Sequence, residues 1–118
     1  MVLNRQIKRG QIWFVRLDPA EGTETKKTRA CLVLQNDIGN QYSETITIVP
    51  FLTPGNYPFI VNVTATSQNG LDKTRGVNLS KIRSVSRTRF NNLIGSLEAK
   101  YWNEIEKALL IQCGFRSS

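Results

Sequence analysis

Helical periodicity occurs in one place only, close to the C-terminus. Everything upstream of it is written in short β-forming runs separated by turn residues. Gln11 to Leu17, Ala30 to Gln35, Thr45 to Leu52, Phe59 to Val63 and Gly76 to Leu79 are rich in Ile, Val, Phe, Trp and Thr. Gly10, Asp18-Pro19, the turn-like stretch Asn36 to Asn40, Pro54 and Asn69-Gly70 punctuate them. In the first run, alternation places Ile12, Phe14 and Arg16 on one face and Trp13, Val15 and Leu17 on the other. Ala30 to Gln35 is continuously apolar, as a strand covered on both faces requires, and Pro50 predicts an edge or a bulge. The helix is expected to start at an Ser96 cap, with Glu98 in its first turn, and to stop at Gly114. Trp102, Ile105 and Leu109 form its inward face with Tyr101 and Ala108 beside them, while Glu104 and Glu106 face outward. The expectation is one domain over residues 1–118: a small, mainly β barrel of five to seven strands with a C-terminal helix.

Composition narrows the chemistry. The 118 residues carry 16 Lys and Arg, 9 Asp and Glu and no histidine, a net charge of +7. Without histidine, the commonest general acid/base and the commonest metal ligand are both missing. The two cysteines, Cys31 and Cys113, are too far apart to read as a zinc cluster or a disulfide framework. No apolar run approaches a membrane span and the N-terminus lacks a signal-peptide core, so the expected location is the cytoplasm. The positive balance calls for an anionic partner, nucleic acid first and an acidic protein segment second.

Three stretches can carry chemistry. Residues 73–90 hold Lys73, Arg75, Lys81, Arg83, Arg87 and Arg89 with no acidic residue, and in an extended chain the last four share one face. Such a stripe suits phosphate tracking, and equally a solvated strand face. The polar loop from Pro19 to Thr28 is long for a hairpin and closes on Arg29, a cation at the start of an apolar strand. Arg29 either pairs with a loop carboxylate such as Glu24 or presents its guanidinium to a phosphate. Thr53 ends the β-rich run before Pro54, as a turn cap or as a site residue. Trp13 and Trp102 read as core, with base stacking open to Trp13 if its face is exposed.

The string Lys8-Arg9-Gly10-Gln11-Ile12-Trp13-Phe14-Val15-Arg16-Leu17-Asp18-Pro19, then Gly22-Thr23-Glu24 and Thr28-Arg29-Ala30-Cys31-Leu32-Val33-Leu34-Gln35-Asn36-Asp37, resembles the MazF/PemK family, the toxin halves of type II toxin–antitoxin systems. The likeness continues through Thr45 to Thr53, Ile82 to Val85, Arg89 and the C-terminal helix. It implies an SH3-like barrel that forms a homodimer, and a sequence-specific, metal-independent endoribonuclease without cofactor that cuts single-stranded RNA. Products with 2′,3′-cyclic phosphate and 5′-hydroxyl ends, growth arrest, and inhibition by a cognate acidic antitoxin belong to the same expectation. The family's catalytic arginine and threonine fall on Arg29 and Thr53, and its acidic loop residue, a possible base, falls on Glu24. The candidate RNA contacts are Lys26, Lys27 and Thr28 at the loop, with Lys81, Arg83, Arg87 and Arg89 in the basic window. Ala30 stands where proline commonly follows the arginine, and Ser80-Lys81 where Glu-Gln is common. The competing readings are a non-catalytic SH3-like module that binds nucleic acid or protein, and a gyrase-directed toxin of the same fold.

Overall fold

The computed structural model describes residues 6–17 and 27–117. Seven strands, all paired antiparallel, carry the fold: β1 (Gln11–Leu17), β2 (Lys27–Val33), β3 (Thr45–Leu52), β4 (Ile60–Val63), β5 (Arg75–Asn78), β6 (Arg83–Ser86) and β7 (Phe90–Ser96). Their order is β4-β5-β3-β2-β1-β7, with β6 alongside β3. Two helices complete it, α1 (Asp37–Tyr42) and α2 (Trp102–Gln112). The mainly β expectation with a C-terminal helix is met, and β1 and β3 have the bounds read from the sequence. Among the described residues, no helix is long and apolar enough to cross a membrane.

The three central strands are buried on both faces, and alternation sorts their side chains between two cores. Ile12, Leu32, Val49 and Phe51 point into one, closed by Val61, Val63, Val77, Leu79 and α2. Trp13, Val15, Cys31, Val33, Ile46 and Ile48 point into the other, with Ile7, Val85 and Phe90. Register shifts between Ile12/Trp13 and Phe14/Val15, where β1 meets β7, bend the sheet. Pro50 sits where β3 changes neighbours: β6 pairs as far as Ile48, and β5 begins opposite Phe51. Its missing donor therefore coincides with a gap in pairing on one side.

Two local expectations change. Asn36 to Asn40 is not merely a turn, because Asn36 caps α1 by accepting from the Gly39 N–H at 2.8 Å. The buried Asn40 then ties that helix to the Gln35 carbonyl at 2.9 Å and to the Asp37 carboxylate at 3.0 Å. Ser96 does not cap the C-terminal helix; it ends β7, and a 3-10 turn at Ala99–Tyr101 leads into α2. Glu98 is drawn away by tertiary partners, accepting from Thr66 Oγ1 at 2.5 Å and Asn69 Nδ2 at 3.1 Å. The extra turn rotates the inward face, so Tyr101, Ile105 and Ala108 are buried while Trp102 and Leu109 are only partly so. Arg9 lies over the Trp102 ring, 3.9 Å from its centroid. Gly114, at φ 80°, occupies the left-handed position that ends α2.

Candidate active site

Arg29 lies on β2 opposite Val15 of β1, a polar position just before the buried Cys31-Leu32-Val33 segment. Thr53 follows directly on β3, whose last residue, Leu52, pairs with Gly76 of β5. That pairing brings Arg75 beside the end of β3, and the chain after Thr53 lies so close to β5 that residue 76 has to be glycine. A Cβ there would approach the Thr53 carbonyl oxygen to 2.9 Å and the Ile60 side chain to 2.7 Å.

These elements enclose an open cavity of about 540 Å³ lined by Arg29, Thr53, Gly55, Tyr57, Arg75 and Asn78, among others. A smaller hollow of about 190 Å³ adjoins it through the same two arginines and adds Thr28 and Asp72. No carboxylate lines the larger cavity among the described residues. The Arg29 guanidinium and the Thr53 hydroxyl make no hydrogen bond or ion pair among the described residues, whereas Arg75 is oriented by Asp72. Its Nε donates to Asp72 Oδ1 at 3.1 Å and its Nη2 to Oδ2 at 2.8 Å. This fork holds the Asp72 carboxyl below, and the Arg75 guanidinium above, its ordinary pKa. Cys31, near Arg29, is no nucleophile, because burial pushes its thiol up to about 12. Two cations and a hydroxyl around this cavity are groups of the kind that complement a phosphodiester.

Of the candidate residues, the structure gathers Arg29, Thr53 and Thr28 in this one region, while Lys27 is exposed at the start of β2. Glu24, Lys26 and most of the Pro19 to Thr28 loop lie outside the described residues. The basic stripe does not form as alternation predicts. Two 3-10 turns, Leu79–Lys81 and Arg87–Arg89, interrupt the extended run and remove the shared parity. Lys81 and Arg83 are exposed. Arg87 instead grips the C-terminal end of α1, with Nη2 donating to the carbonyls of Asn40 and Ser43 and Nε to Ser43 at 3.1 Å. Arg89 Nη1 reaches the Arg16 carbonyl at 3.3 Å. Trp13 is 7% exposed, which settles it as core.

Another hollow of about 570 Å³, beside α1, holds Arg87 but neither Arg29 nor Thr53. Its charges are mixed, Lys8 and Arg87 beside Asp37 and Glu44, with Arg87 engaged as described and Asp37 accepting from the Arg9 backbone N–H at 2.7 Å and from Asn40. It offers an anion far less. The sequence reading missed Arg75 as a site residue, and also Tyr57 and Asn78. Arg75 did stand in the basic window, but only strand pairing shows which of those cations meets Arg29.

The endoribonuclease EndoA of Bacillus subtilis (strain 168) is 30% identical over 108 residues, covering 89% of this chain and 92% of that protein. The endoribonuclease MazF of Staphylococcus saprophyticus is 27% identical over 114 residues, covering 94% of each. In fold the chain is similar to a MazE-MazF crystal structure from Deinococcus radiodurans, with TM-score 0.74 and 21% identity over 96% of this chain and 100% of that one. The family described as PemK-like, MazF-like toxin of type II toxin-antitoxin system matches residues 8–113, from the Arg9-Gly10 turn before β1 to the end of α2, and the chain belongs to it.

Proposed function

We propose that this chain is the toxin of a type II pair and acts as an endoribonuclease on single-stranded RNA. The observation that carries the reading is the Arg29 guanidinium, without a hydrogen-bond or ion-pair partner among the described residues, lining the same cavity as Thr53 and Arg75. The names of the Bacillus and Staphylococcus relatives support it. In the reaction a ribose 2′-oxygen attacks the adjacent phosphorus, the 2′-hydroxyl proton leaves to a base, and the bond to the 5′-oxygen breaks as that oxygen gains a proton. A 2′,3′-cyclic phosphate and a 5′-hydroxyl result, with no protein nucleophile and no metal needed.

Arg29 keeps its proton and stabilises charge on the phosphorane oxygens. Thr53 donates a hydrogen bond to a phosphate oxygen, and Arg75 holds a neighbouring phosphate. Glu24 is the candidate base; Lys26, Lys27, Thr28, Lys81 and Arg83 extend the contact to RNA. The function further implies a cytoplasmic homodimer. The cognate antitoxin presents an acidic segment to the positive cavity, as the existence of a MazE-MazF complex suggests. The test is cleavage of a long single-stranded RNA in EDTA by wild type and Arg29→Ala, with 5′ ends mapped by primer extension. Discrete cuts by wild type and at least a hundredfold loss in the variant (on the order expected for removing one such donor) support the reading. Binding without cutting by both returns the chain to a non-catalytic module.

A further inference from the structure

The rim of the cavity carries an aromatic pair. The Tyr57 and Phe59 rings stack with centroids 5.2 Å apart and planes 9° from parallel. Phe59 packs against the main core and so fixes the lower ring. Tyr57 is 65% exposed, an unusual setting for a large aromatic side chain in a well-packed domain.

The segment bearing it is clamped. Gly55 N–H donates to Asn62 Oδ1 at 3.1 Å while Asn62 Nδ2 returns a bond to the Gly55 carbonyl at 3.0 Å. Ile60 N–H donates to the Tyr57 carbonyl at 3.0 Å. Tyr57 thus belongs to a braced turn between β3 and β4 rather than to a loose tip. Its position is specific as well. Among the described residues the other exposed large apolar side chains, Ile38, Tyr42, Leu93 and Phe115, line neither of the cavities that hold Arg29.

Resting on the ribonuclease reading above, we propose that Tyr57, backed by Phe59, is a stacking platform for one nucleobase beside the bond that is cut, and so sets part of this chain's sequence preference. An exposed π-face on a rigid mount recognises an unpaired base, while the cations lining the same cavity, Arg29 and Arg75, take the phosphates that flank it. A base within a duplex already has both faces covered, so the arrangement selects single strands. Trp13, read as core with base stacking left open if its face were exposed, is unavailable. Its ring packs edge-on against Phe90 with centroids 5.5 Å apart, and its Nε1 donates to Gln11 Oε1 at 2.9 Å.

The experiment compares wild type, Tyr57→Phe and Tyr57→Ala in two arms. In the first, cut sites and kcat/KM are measured on one long single-stranded RNA. In the second, binding is measured to a 2′-O-methyl oligonucleotide, which lacks the attacking hydroxyl, with an abasic unit placed at each position in turn. Tyr57→Phe should behave as wild type. Tyr57→Ala should lose roughly ten- to a hundredfold in kcat/KM and relax base preference at one position flanking the cut. One abasic position should weaken wild type by a similar factor and leave Tyr57→Ala unaffected.

Unchanged cut sites and rates in Tyr57→Ala overturn the proposal. So does a loss without that position-specific coupling, or an effect confined to antitoxin affinity or oligomeric state. If wild type cuts nothing, the ribonuclease reading fails, and the abasic scan alone decides whether the platform exists.

Discussion

At the residue scale the site is a contrast between two arginines. Arg29, placed by β2, has no hydrogen-bond or ion-pair partner among the described residues, whereas Arg75 is oriented by the Asp72 fork before any ligand arrives. Preorganisation of the Arg75 kind suits binding, and a guanidinium placed like that of Arg29 suits charge that develops during reaction. We therefore expect Arg75→Ala to raise KM about tenfold with kcat within a few-fold of wild type, the size of one lost charged hydrogen bond. Arg29→Ala should act mainly on kcat; steady-state cleavage of a short fluorogenic RNA separates the two. Gly76 tests the same site from behind. Gly76→Ala must push back the Thr53 carbonyl and the Ile60 side chain. It should cost about 1–3 kcal/mol by urea unfolding and lower kcat with Arg29 untouched. An alanine variant as active and as stable as wild type would show that Thr53 needs no such fixed seat.

At the element scale, short structures survive because tertiary groups complete their ends. Helix α1 spans only six residues, too few to persist alone. Its N-terminus is capped by Asn36, its middle anchored by the buried Asn40, and its last carbonyls held by Arg87 from beyond β6. Asn36→Ala should cost about 1 kcal/mol of stability, read as a lower urea midpoint at unchanged slope, and should leave cleavage unaltered. The Asn-Asp pair at residues 36–37 was legible as chain-reversing chemistry, but the same residues cap helices and build turns. Arg87, about fifty residues on and four strands later, decides between them, and no local pattern announces it. The basic stripe failed for the converse reason: parity assumes an extended chain, and 3-10 turns at both ends of β6 remove that assumption.

At the scale of the whole molecule, two cores share β1, β2 and β3, so the sheet is a partition as well as a wall. The seam between the 64–71 segment and the entry to α2 is polar and titratable. Burial pushes the Glu98 carboxyl up, but hydrogen bonds from Thr66 and Asn69 outweigh it and leave its pKa below the usual 4.5. The folded state thus favours the carboxylate. The resulting stability is complete above about pH 4.5 and is lost as pH falls through the lower folded value. A series of melting temperatures between neutral pH and about pH 3 should fall less steeply below pH 4.5 for Glu98→Gln than for wild type; parallel curves would remove Glu98 from the account. By itself the sequence determined five of the seven strands, the two-faced burial of the one after the Pro19 to Thr28 loop, the single long helix and the family, because period and turn chemistry are local and the motif residues are contiguous; β6 and β7 were not read. It also named Arg29 and Thr53, by resemblance. Only the tertiary structure decided that Arg75 joins them, that Tyr57 rather than Trp13 offers a ring at the cavity, and that Arg87 serves the fold. Those outcomes depend on strand order and register, which bring together residues whose separation along the chain carries no signal of their meeting.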